Sequence, residues 1–427
     1  MKRTGDLLTG QHRRGGINRR EFLRRTGGLV GGVAAASILA GPQRAGAGAA
    51  SGPVIKLGAV FPLTGPWAEN GTNSLHGIQL AVEHVNAQGG IKSMGGARLE
   101  VVAGDTQADP ALAASVTRRL IGVEKVTALF GCYLSSYTLT ASTEAEKAGI
   151  PMFTNSFLDT LTERGYKYFF QLPAKASMMG TAAISYFKEA AEAAGLKPKM
   201  FANISDDNAN TQKQARVISE IATKYGFQEL FLDFYTGGIT DASAIVNKVR
   251  SSKAEFMFIN GPTPDVILIV RTLRNVGWKK PVIGTGGGGS MTRGYGEALK
   301  KDGDGSFGIG AWNWDLPYPR MKEINEVFTK RFNEPFFPQE AGEMYVAVWI
   351  VKEALENVKA ADSEKIRNYV AATTFKEPPA SLMPGNVIKF DQTGWNIHSV
   401  PIMIEWKDSL PHTVWPAQVR AVSAFFE

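Results

Sequence analysis

One stretch of the sequence decides the fold, residues 54–90: VIKLGAVFPLTGPWAENGTNSLHGIQLAVEHVNAQGG. Its first part, residues 54–60, is a short and mostly apolar run, which predicts a buried strand. The part that follows carries apolar side chains at spacings of three and four, namely Leu75, Ile78, Val82 and Val85. This spacing predicts a helix with one buried face, which ends at Gly89-Gly90. A strand that leads into such a helix is the repeating unit of a parallel α/β sheet.

The same alternation continues along the chain in two series. The first series predicts strands at residues 54–60, 99–103, 126–130, 150–153 and 168–172. Asp109-Pro110 supplies an N-cap and a first-turn proline for a helix that runs to Gly122. Beyond Pro173, the second series predicts strands at residues 200–204, 230–234, 256–259 and 281–283. The fold class is therefore α/β, with two lobes that each contain a Rossmann-like parallel sheet.

The C-terminal part of the chain does not repeat this pattern. Helical segments at residues 320–332 and 340–358 are followed by extended segments at residues 387–390 and 401–406. Such a mixture does not easily build a third core. We therefore expect the C-terminal part to complete the two lobes.

If so, the chain crosses between the lobes three times, near Leu172, Ala311 and His398. Three crossings predict a three-strand hinge and a cleft over the carboxyl ends of both sheets, where open α/β sheets bind ligands. The predicted boundaries are residues 53–172 plus 313–398 for lobe 1, and residues 173–312 plus 399–427 for lobe 2.

The net charge of +7 is confined to the N-terminus of the chain. Residues 1–50 hold nine Lys or Arg and two Asp or Glu, so the rest has 47 − 9 = 38 basic and 40 − 2 = 38 acidic residues. A neutral remainder removes the electrostatic argument for nucleic acid or an anionic membrane as a partner. The single cysteine, Cys132, excludes a disulfide scaffold and predicts a buried thiol.

The N-terminal residues 1–47 have the three parts of an export signal in order. Arg19-Arg20 lies in a twin-arginine pattern, an uncharged Gly- and Ala-rich stretch spans residues 26–41, and Ala45-Gly46-Ala47 offers a cleavage site. The apolar run is too short and too rich in glycine for a membrane anchor. We therefore predict a twin-arginine signal peptide and a mature chain in the periplasm, without membrane insertion.

Several short segments share a pattern, in order and at consistent spacing: Ile55–Gly58, Phe61–Pro66, Gly77–Glu83, Asn86–Ile91, Asp105 with Asp109-Pro110, Gly131 with Ser135-Ser136, Gly149–Met152 and Leu161–Tyr166. Together these segments resemble the leucine/isoleucine/valine-binding family of ABC-transporter solute receptors. The resemblance covers most of residues 53–290. It implies a type I periplasmic binding fold whose two lobes close on a small ligand.

Two serines follow the strand that ends at Gly131. Ser135 and Ser136 open a predicted helix, whose free N–H groups and hydroxyls suit a carboxylate. The resemblance implies that Ser135 holds the carboxylate of the ligand. Alternatively, Ser135 is only the N-cap of the helix.

Other candidates in lobe 1 come from two further loops. Asn155, Ser156 and Phe157 compete for a ligand position that the resemblance implies after Pro151, although a plain turn role is an equal alternative. Trp67 lies in the first βα loop, where similar proteins have an aromatic wall. Its polar neighbours favour the ligand wall over packing beneath the loop.

Lobe 2 departs from the family pattern. Residues 205–210 open a helix, but the aromatic residue that similar proteins carry near Asn210 is absent. In the family, an acidic residue pairs with the ammonium group of the ligand. The corresponding position in this chain is near Gly286, where no acidic residue is present. A buried ammonium without a counter-charge is costly, so an amino-acid ligand requires another acid, and Asp206, Asp207 and Asp265 are the possible substitutes.

The remaining candidates are glycine and tryptophan residues. The run at residues 286–289 is not followed by Lys-Ser or Lys-Thr, so it is not a phosphate-binding loop. Its glycines allow a close backbone approach to a ligand. Trp312 and Trp314 lie near the second crossing and serve either as a cleft wall or as hinge packing.

The sequence contains no HExxH, CxxC or GxSxG motif, so we expect no metal, no cofactor and no catalytic residue. The leading hypothesis is a solute receptor that binds a branched-chain amino acid or a related small carboxylate and works with ABC permease and ATPase subunits. The alternatives are a receptor for an aromatic acid or amide, an exported ligand sensor, and an exported cofactor enzyme, since twin-arginine export often serves such enzymes.

Overall fold

The computed structural model describes residues 52–107, 109–286 and 289–425 of the chain. Five parallel strands near the start of this part form the first sheet: β1 Val54–Phe61, β2 Arg98–Asp105, β3 Ala128–Gly131, β4 Met152–Thr154 and β5 Phe169–Gln171. Their order in the sheet is β2-β1-β3-β4-β5. The export signal predicted at residues 1–47 lies outside the described residues.

A second sheet has seven strands. The strands of the rest of the chain are β6 Met200–Asp206, β7 Gln228–Tyr235, β8 Phe256–Asn260, β9 Val282–Gly284, β10 Phe307–Gly310, β11 Thr374–Phe375, β12 Ile388–Lys389, β13 Ile402–Lys407 and β14 Leu410–Trp415. The second sheet has the order β14-β13-β10-β9-β8-β6-β7, and β11 pairs only with β12. Its strands are parallel except for β13 and β14, which join as an antiparallel hairpin at one edge.

Helices cover both sheets. In chain order they are α1 Ala68–Ala87, α2 Pro110–Gly122, α3 Ser135–Ala148, α4 Ala176–Ala193, α5 Ala209–Ile221, α6 Ser243–Ser251, α7 Thr263–Asn275, α8 Arg293–Leu299, α9 Met321–Phe332, α10 Gln339–Val358 and α11 Ser363–Ala372. The predicted cap of α2 is confirmed, because Asp109 Oδ1 accepts a hydrogen bond from the Ala111 N–H at 2.7 Å and Pro110 occupies the first turn.

The C-terminal helices α9 and α10 pack against α1 and so complete the first lobe. Gly77 of α1 lies so close to α10 that an added Cβ would be 2.0 Å from the Ala341 carbonyl oxygen. The His76 ring stacks on Phe332 of α9 at 4.1 Å between ring centroids. We use "first lobe" for the elements around the first sheet and "second lobe" for those around the second.

Three chain segments join the two lobes, as predicted. The first and third are hydrogen-bonded to each other, since the Gln171 N–H donates to the Gly394 carbonyl at 2.8 Å and Asn396 Nδ2 to the Leu172 carbonyl at 3.1 Å. In the second segment, the Ala311 N–H donates to Gln339 Oε1 of α10 at 2.6 Å. The first and third hinge segments are thus paired with each other, whereas the backbone of the second is bonded to a side chain of α10.

Candidate functional site

A small cavity lies between the lobes, at the carboxyl ends of both sheets. Its lining residues are Trp67, Tyr133, Leu134, Ser135 and Phe157 from the first lobe and Asn208, Asn210, Thr211 and Gly286 from the second. The cavity measures about 20 Å³, which accommodates about one water molecule. The lobes are therefore closed on each other in this structure, and a ligand of amino-acid size enters only when they separate.

The beginning of α3 is the most polar part of the first-lobe wall. Leu134 occupies the N-cap position and its side chain makes no capping hydrogen bond, so Ser135 is the first helical residue rather than the cap. The first-turn N–H groups of α3 thus lack a capping side chain. Ser135 is buried, and its Oγ accepts a hydrogen bond from the Leu158 N–H at 3.3 Å. A hydroxyl beside an uncapped helix N-terminus can bind a carboxylate.

Ser136 is the next residue of α3 and does not line the cavity. Its side chain is partly exposed. The side chains of Ser135 and Ser136 therefore have different surroundings, although both belong to the first turn of α3.

Two aromatic rings close the first-lobe wall. Trp67 lies directly before α1, and its ring centroid is 5.9 Å from that of Tyr133. Both side chains are more than nine-tenths buried and both line the cavity. Tyr133 was not predicted from the sequence. The only signal was its place in the loop between Gly131 and Ser135.

Asn155 and Ser156 lie behind this wall rather than in it. Asn155 Oδ1 accepts from the Tyr133 N–H at 3.1 Å, and Ser156 Oγ donates to the Tyr133 carbonyl at 2.9 Å. Asn155 Nδ2 also donates to Ser74 Oγ at 3.1 Å. These bonds hold the Tyr133 backbone, which has a φ of 69° in the left-handed region. Of the three competing candidates, only Phe157 lines the cavity.

The second-lobe wall comes from the start of α5 and the loop after β9. Asn210 and Gly286, both predicted, line the cavity together with Asn208 and Thr211. Asp207 does not line it. Its Oδ2 accepts from the Thr236 hydroxyl at 3.0 Å.

Trp312 and Trp314 also lie away from the cavity. The Trp312 indole donates to the Leu382 carbonyl at 2.7 Å, so this side chain packs near the hinge.

The other two acids that could replace the missing counter-charge are also engaged. Asp206 accepts from the Thr211 hydroxyl, and burial raises its pKa to about 7. Asp265 Oδ2 accepts from the Gly238 N–H at 2.7 Å. Neither carboxylate lines the cavity.

Buried glutamates lie near the aromatic wall. Glu340 in the first turn of α10 is fully buried, Asn70 Nδ2 donates to its Oε1 at 2.8 Å, and burial raises its pKa to about 7. Burial and the charge of Glu340 also raise the pKa of the neighbouring Glu343. Burial, together with the charges of these two glutamates, raises the pKa of Tyr133 as well.

A further contact joins the lobes beside the cavity. Glu69, in the first turn of α1, accepts through Oε1 from the Gly294 N–H of α8 at 2.9 Å. Burial raises the pKa of Glu69. Arg293 donates to the Asn333 carbonyl at 3.0 Å and lies 3.5 Å from Glu334 Oε2. These bonds connect the start of α8 with the first lobe and stabilise the closed arrangement.

Cys132 is a buried free thiol in the loop after β3, as predicted. Burial raises its pKa.

Among the described residues, no group of three His, Cys, Asp or Glu side chains is placed to hold a metal ion. In the same part of the chain, no helix is long and apolar enough to cross a bilayer.

Two lobes of parallel sheet, three hinge segments and a cavity between the lobes define a type I periplasmic binding fold. The model of the periplasmic binding protein family matches residues 54–408. The chain belongs to this family, within its leucine/isoleucine/valine-binding group.

Similar proteins match over nearly their whole length. The Leu/Ile/Val-binding protein homolog 7 of Brucella suis is 27% identical over 393 residues, which are 90% of this chain and 95% of that protein. The solved structure of LivJ from Streptococcus pneumoniae, a branched-chain amino acid transporter substrate binding protein in complex with isoleucine, has a TM-score of 0.73 and 25% identity. The match covers 85% of this chain and 100% of the Streptococcus pneumoniae chain.

A third similar structure extends the fold comparison. A solute binding protein of an ABC transporter from R. palustris, in complex with benzoate, has a TM-score of 0.73 at 18% identity, over 87% of this chain and 99% of that one. At this identity, the likeness concerns the fold.

The raised pKa of buried Glu340 predicts how the folding stability depends on pH. The folded chain keeps the Glu340 proton between the ordinary pKa of 4.5 and about 7, while the unfolded chain releases it near 4.5. Folding stability due to this group therefore falls as the pH rises through that range. Glu340→Gln keeps an oxygen for Asn70 and removes the titration. We expect the variant to gain stability over the wild type between these pH values, by at most about 3 kcal/mol above pH 7.

Melting temperatures measured from about pH 4.5 to pH 8 check this expectation, because buried acids that do not interact with Glu340 titrate equally in both proteins. Exposed Glu326 provides the matched control, and Glu326→Gln should follow the wild type at every pH. A difference between Glu340→Gln and the wild type that does not change with pH would contradict the prediction.

Proposed function

We propose that this chain is the solute-binding component of an ABC importer, which binds a branched-chain amino acid or a related small carboxylate between its lobes. The observation that carries the proposal is the uncapped start of α3 with Ser135 at the cavity wall. Membership of a family of solute-binding proteins supports it. On this proposal, the ligand leaves chemically unchanged, and no catalytic residue or cofactor is needed.

The proposed mechanism is a hinge motion. In the open form, the ligand carboxylate binds the first-turn N–H groups of α3 and the Ser135 hydroxyl. Closure then adds contacts from Asn208, Asn210 and Thr211, so the ligand favours the closed form by the free energy of these contacts. The boundaries that we propose remain residues 53–172 plus 313–398 for one lobe and residues 173–312 plus 399–427 for the other.

We further propose that the closed form delivers the ligand to a membrane permease, whose ATPase subunit supplies the energy for transport. The import role is supported by the similarity of 85% of this chain to a branched-chain amino acid transporter substrate binding protein from Streptococcus pneumoniae. We propose no nucleic-acid partner and no membrane insertion.

The role of Ser135 can be tested by two adjacent substitutions. We expect Ser135→Ala to weaken binding of small carboxylates by about tenfold, because a hydrogen bond to a charged group is lost. Ser136→Ala, in the same turn but away from the cavity, should bind like the wild type. Isothermal titration against branched-chain amino acids, their 2-hydroxy analogues and aromatic acids measures the affinities, while tryptophan fluorescence reports closure. Equal effects of the two substitutions would contradict the proposed contact.

We also propose that the chain is exported to the periplasm by the twin-arginine pathway and that residues 1–47 are the signal peptide. Exchange of Arg19 and Arg20 for lysine keeps the charge, yet should leave the full-length precursor in the cytoplasm, because this pathway recognises the arginine pair. The nearby pair Arg13 and Arg14, exchanged in the same way, is the matched control and should allow export. Cell fractionation with immunoblotting distinguishes the two outcomes. Export of the Arg19, Arg20 variant at the wild-type level would refute the proposed pathway.

A further inference from the structure

A glutamine of the second lobe occupies the space beside Gly286. Gln214 of α5 is fully buried, and its Nε2 donates to Asn210 Oδ1 at 3.0 Å and to the Gly286 carbonyl at 3.4 Å. A Cβ on Gly286 would lie 2.2 Å from Gln214 Oε1. An acidic side chain at position 286 would therefore collide with Gln214.

Gln214 does not itself line the closed cavity, but its amide group is hydrogen-bonded to two residues that do, and its amide oxygen has no partner of its own among the described residues. Gln214 Oε1 and the Asn208 Oδ1 of the cavity wall are buried oxygens without a hydrogen-bond partner within the described part of the chain. Unpaired buried acceptors are rare in folded proteins, because each one forfeits its bond to water. Gly286 and Asn210, the two partners of the Gln214 amide nitrogen, both line the cavity.

These two acceptors differ from a carboxylate in carrying no charge. None of the nearby aspartates and glutamates lines the cavity. Their carboxylates accept hydrogen bonds from protein groups: Asp206 from Thr211, Asp265 from the Gly238 N–H, Glu69 from the Gly294 N–H and Glu340 from Asn70 Nδ2. A neutral amide oxygen suits a neutral O–H or N–H donor, whereas a buried ammonium requires a counter-charge to offset its desolvation.

We propose that Gln214 is the specificity-determining residue of the cavity and selects small carboxylates whose second polar group is a neutral hydrogen-bond donor, a hydroxyl or an amide N–H. This inference rests on the proposed function. The first lobe binds the carboxylate at α3, and closure brings the amide oxygens of Gln214 and Asn208 to the neutral donor. A 2-hydroxy acid thus binds more tightly than the 2-amino acid with the same side chain.

A matched ligand pair tests the wild-type protein directly. L-Leucine and (S)-2-hydroxy-4-methylpentanoate share the carboxylate and the side chain and differ only in the ammonium or hydroxyl group. Isothermal titration near pH 7.5 should show the hydroxy acid binding about tenfold or more tightly, the size expected when one of two ligands leaves a buried polar group mismatched. A preference for leucine overturns this inference and leaves the proposed function intact. Failure of every carboxylate in the panel to bind overturns both.

Gln214→Glu supplies the missing charge at the same place. It should invert the preference, with leucine binding about tenfold or more tightly than the hydroxy acid. Gln212→Glu is the matched control, because Gln212 lies on the same helix and its side chain donates to the Asp207 carbonyl at 3.0 Å. That variant should keep the wild-type ratio of affinities.

The ratio of the affinities for leucine and the hydroxy acid distinguishes ligand recognition by Gln214 from a purely structural role. If Gln214 only supports the wall, Gln214→Glu weakens both ligands equally and the ratio stays unchanged, which overturns the inference. Melting temperatures establish that each variant is folded. If Gln214→Glu does not fold, the preference of the wild-type protein between the two ligands still tests the inference.

Discussion

The uncapped first turn of α3 is the constraint on which the site depends. A helix that begins inside a protein must satisfy its first N–H groups, and an N-cap side chain can do so, as Asp109, Thr292 and Asp362 do for α2, α8 and α11. Here the N-cap is Leu134, which has no oxygen to offer. The Tyr137 N–H donates to the Leu134 carbonyl at 3.1 Å, whereas no N-cap side chain serves the N–H groups of Ser135 and Ser136. On the proposed function, an anion bound to these two groups between the lobes favours closure.

Buried acids show how the closed arrangement is balanced. Burial raises the pKa of Glu69, which lies at the contact between the lobes, and also that of Glu340 and Asp206, which are each hydrogen-bonded within their own lobe. Desolvation of the Glu69 carboxylate opposes closure, whereas the bond from the Gly294 N–H to Glu69 and the contacts of Arg293 favour it. Opposed terms of this kind keep the free energy of closure small, so that one small ligand can shift the equilibrium between the open and closed forms.

Most of the fold could be predicted from the sequence, because its signals are local. The alternation of apolar runs and amphipathic segments indicated the five strands of the first sheet and β6 to β9 of the second, and Asp109-Pro110 marked the start of α2. The strands β10 and β14 of the second sheet were not predicted. The hinge followed from the topology, since the C-terminal segments had no core of their own. The antiparallel pairing of β13 and β14 at the edge of the second sheet is not visible in any local pattern.

The site was predicted less completely, because long-range contacts decide it. Ser135 could be recognised from its place between a strand and a helix. Tyr133 and Gln214 could not, since one depends on the backbone turn held by Asn155 and Ser156, and the other on the approach of α5 to a glycine that follows β9. The sequence showed that an acid is missing near Gly286, but only the structure shows which side chain fills that space.

A crystal structure of the mature chain with a bound carboxylic acid tests the central claim most directly. The account predicts closed lobes, with the carboxylate within hydrogen-bond distance of the Ser135 hydroxyl and of the first N–H groups of α3. A carboxylate bound elsewhere in the cleft, with Ser135 beyond hydrogen-bond distance, would contradict it.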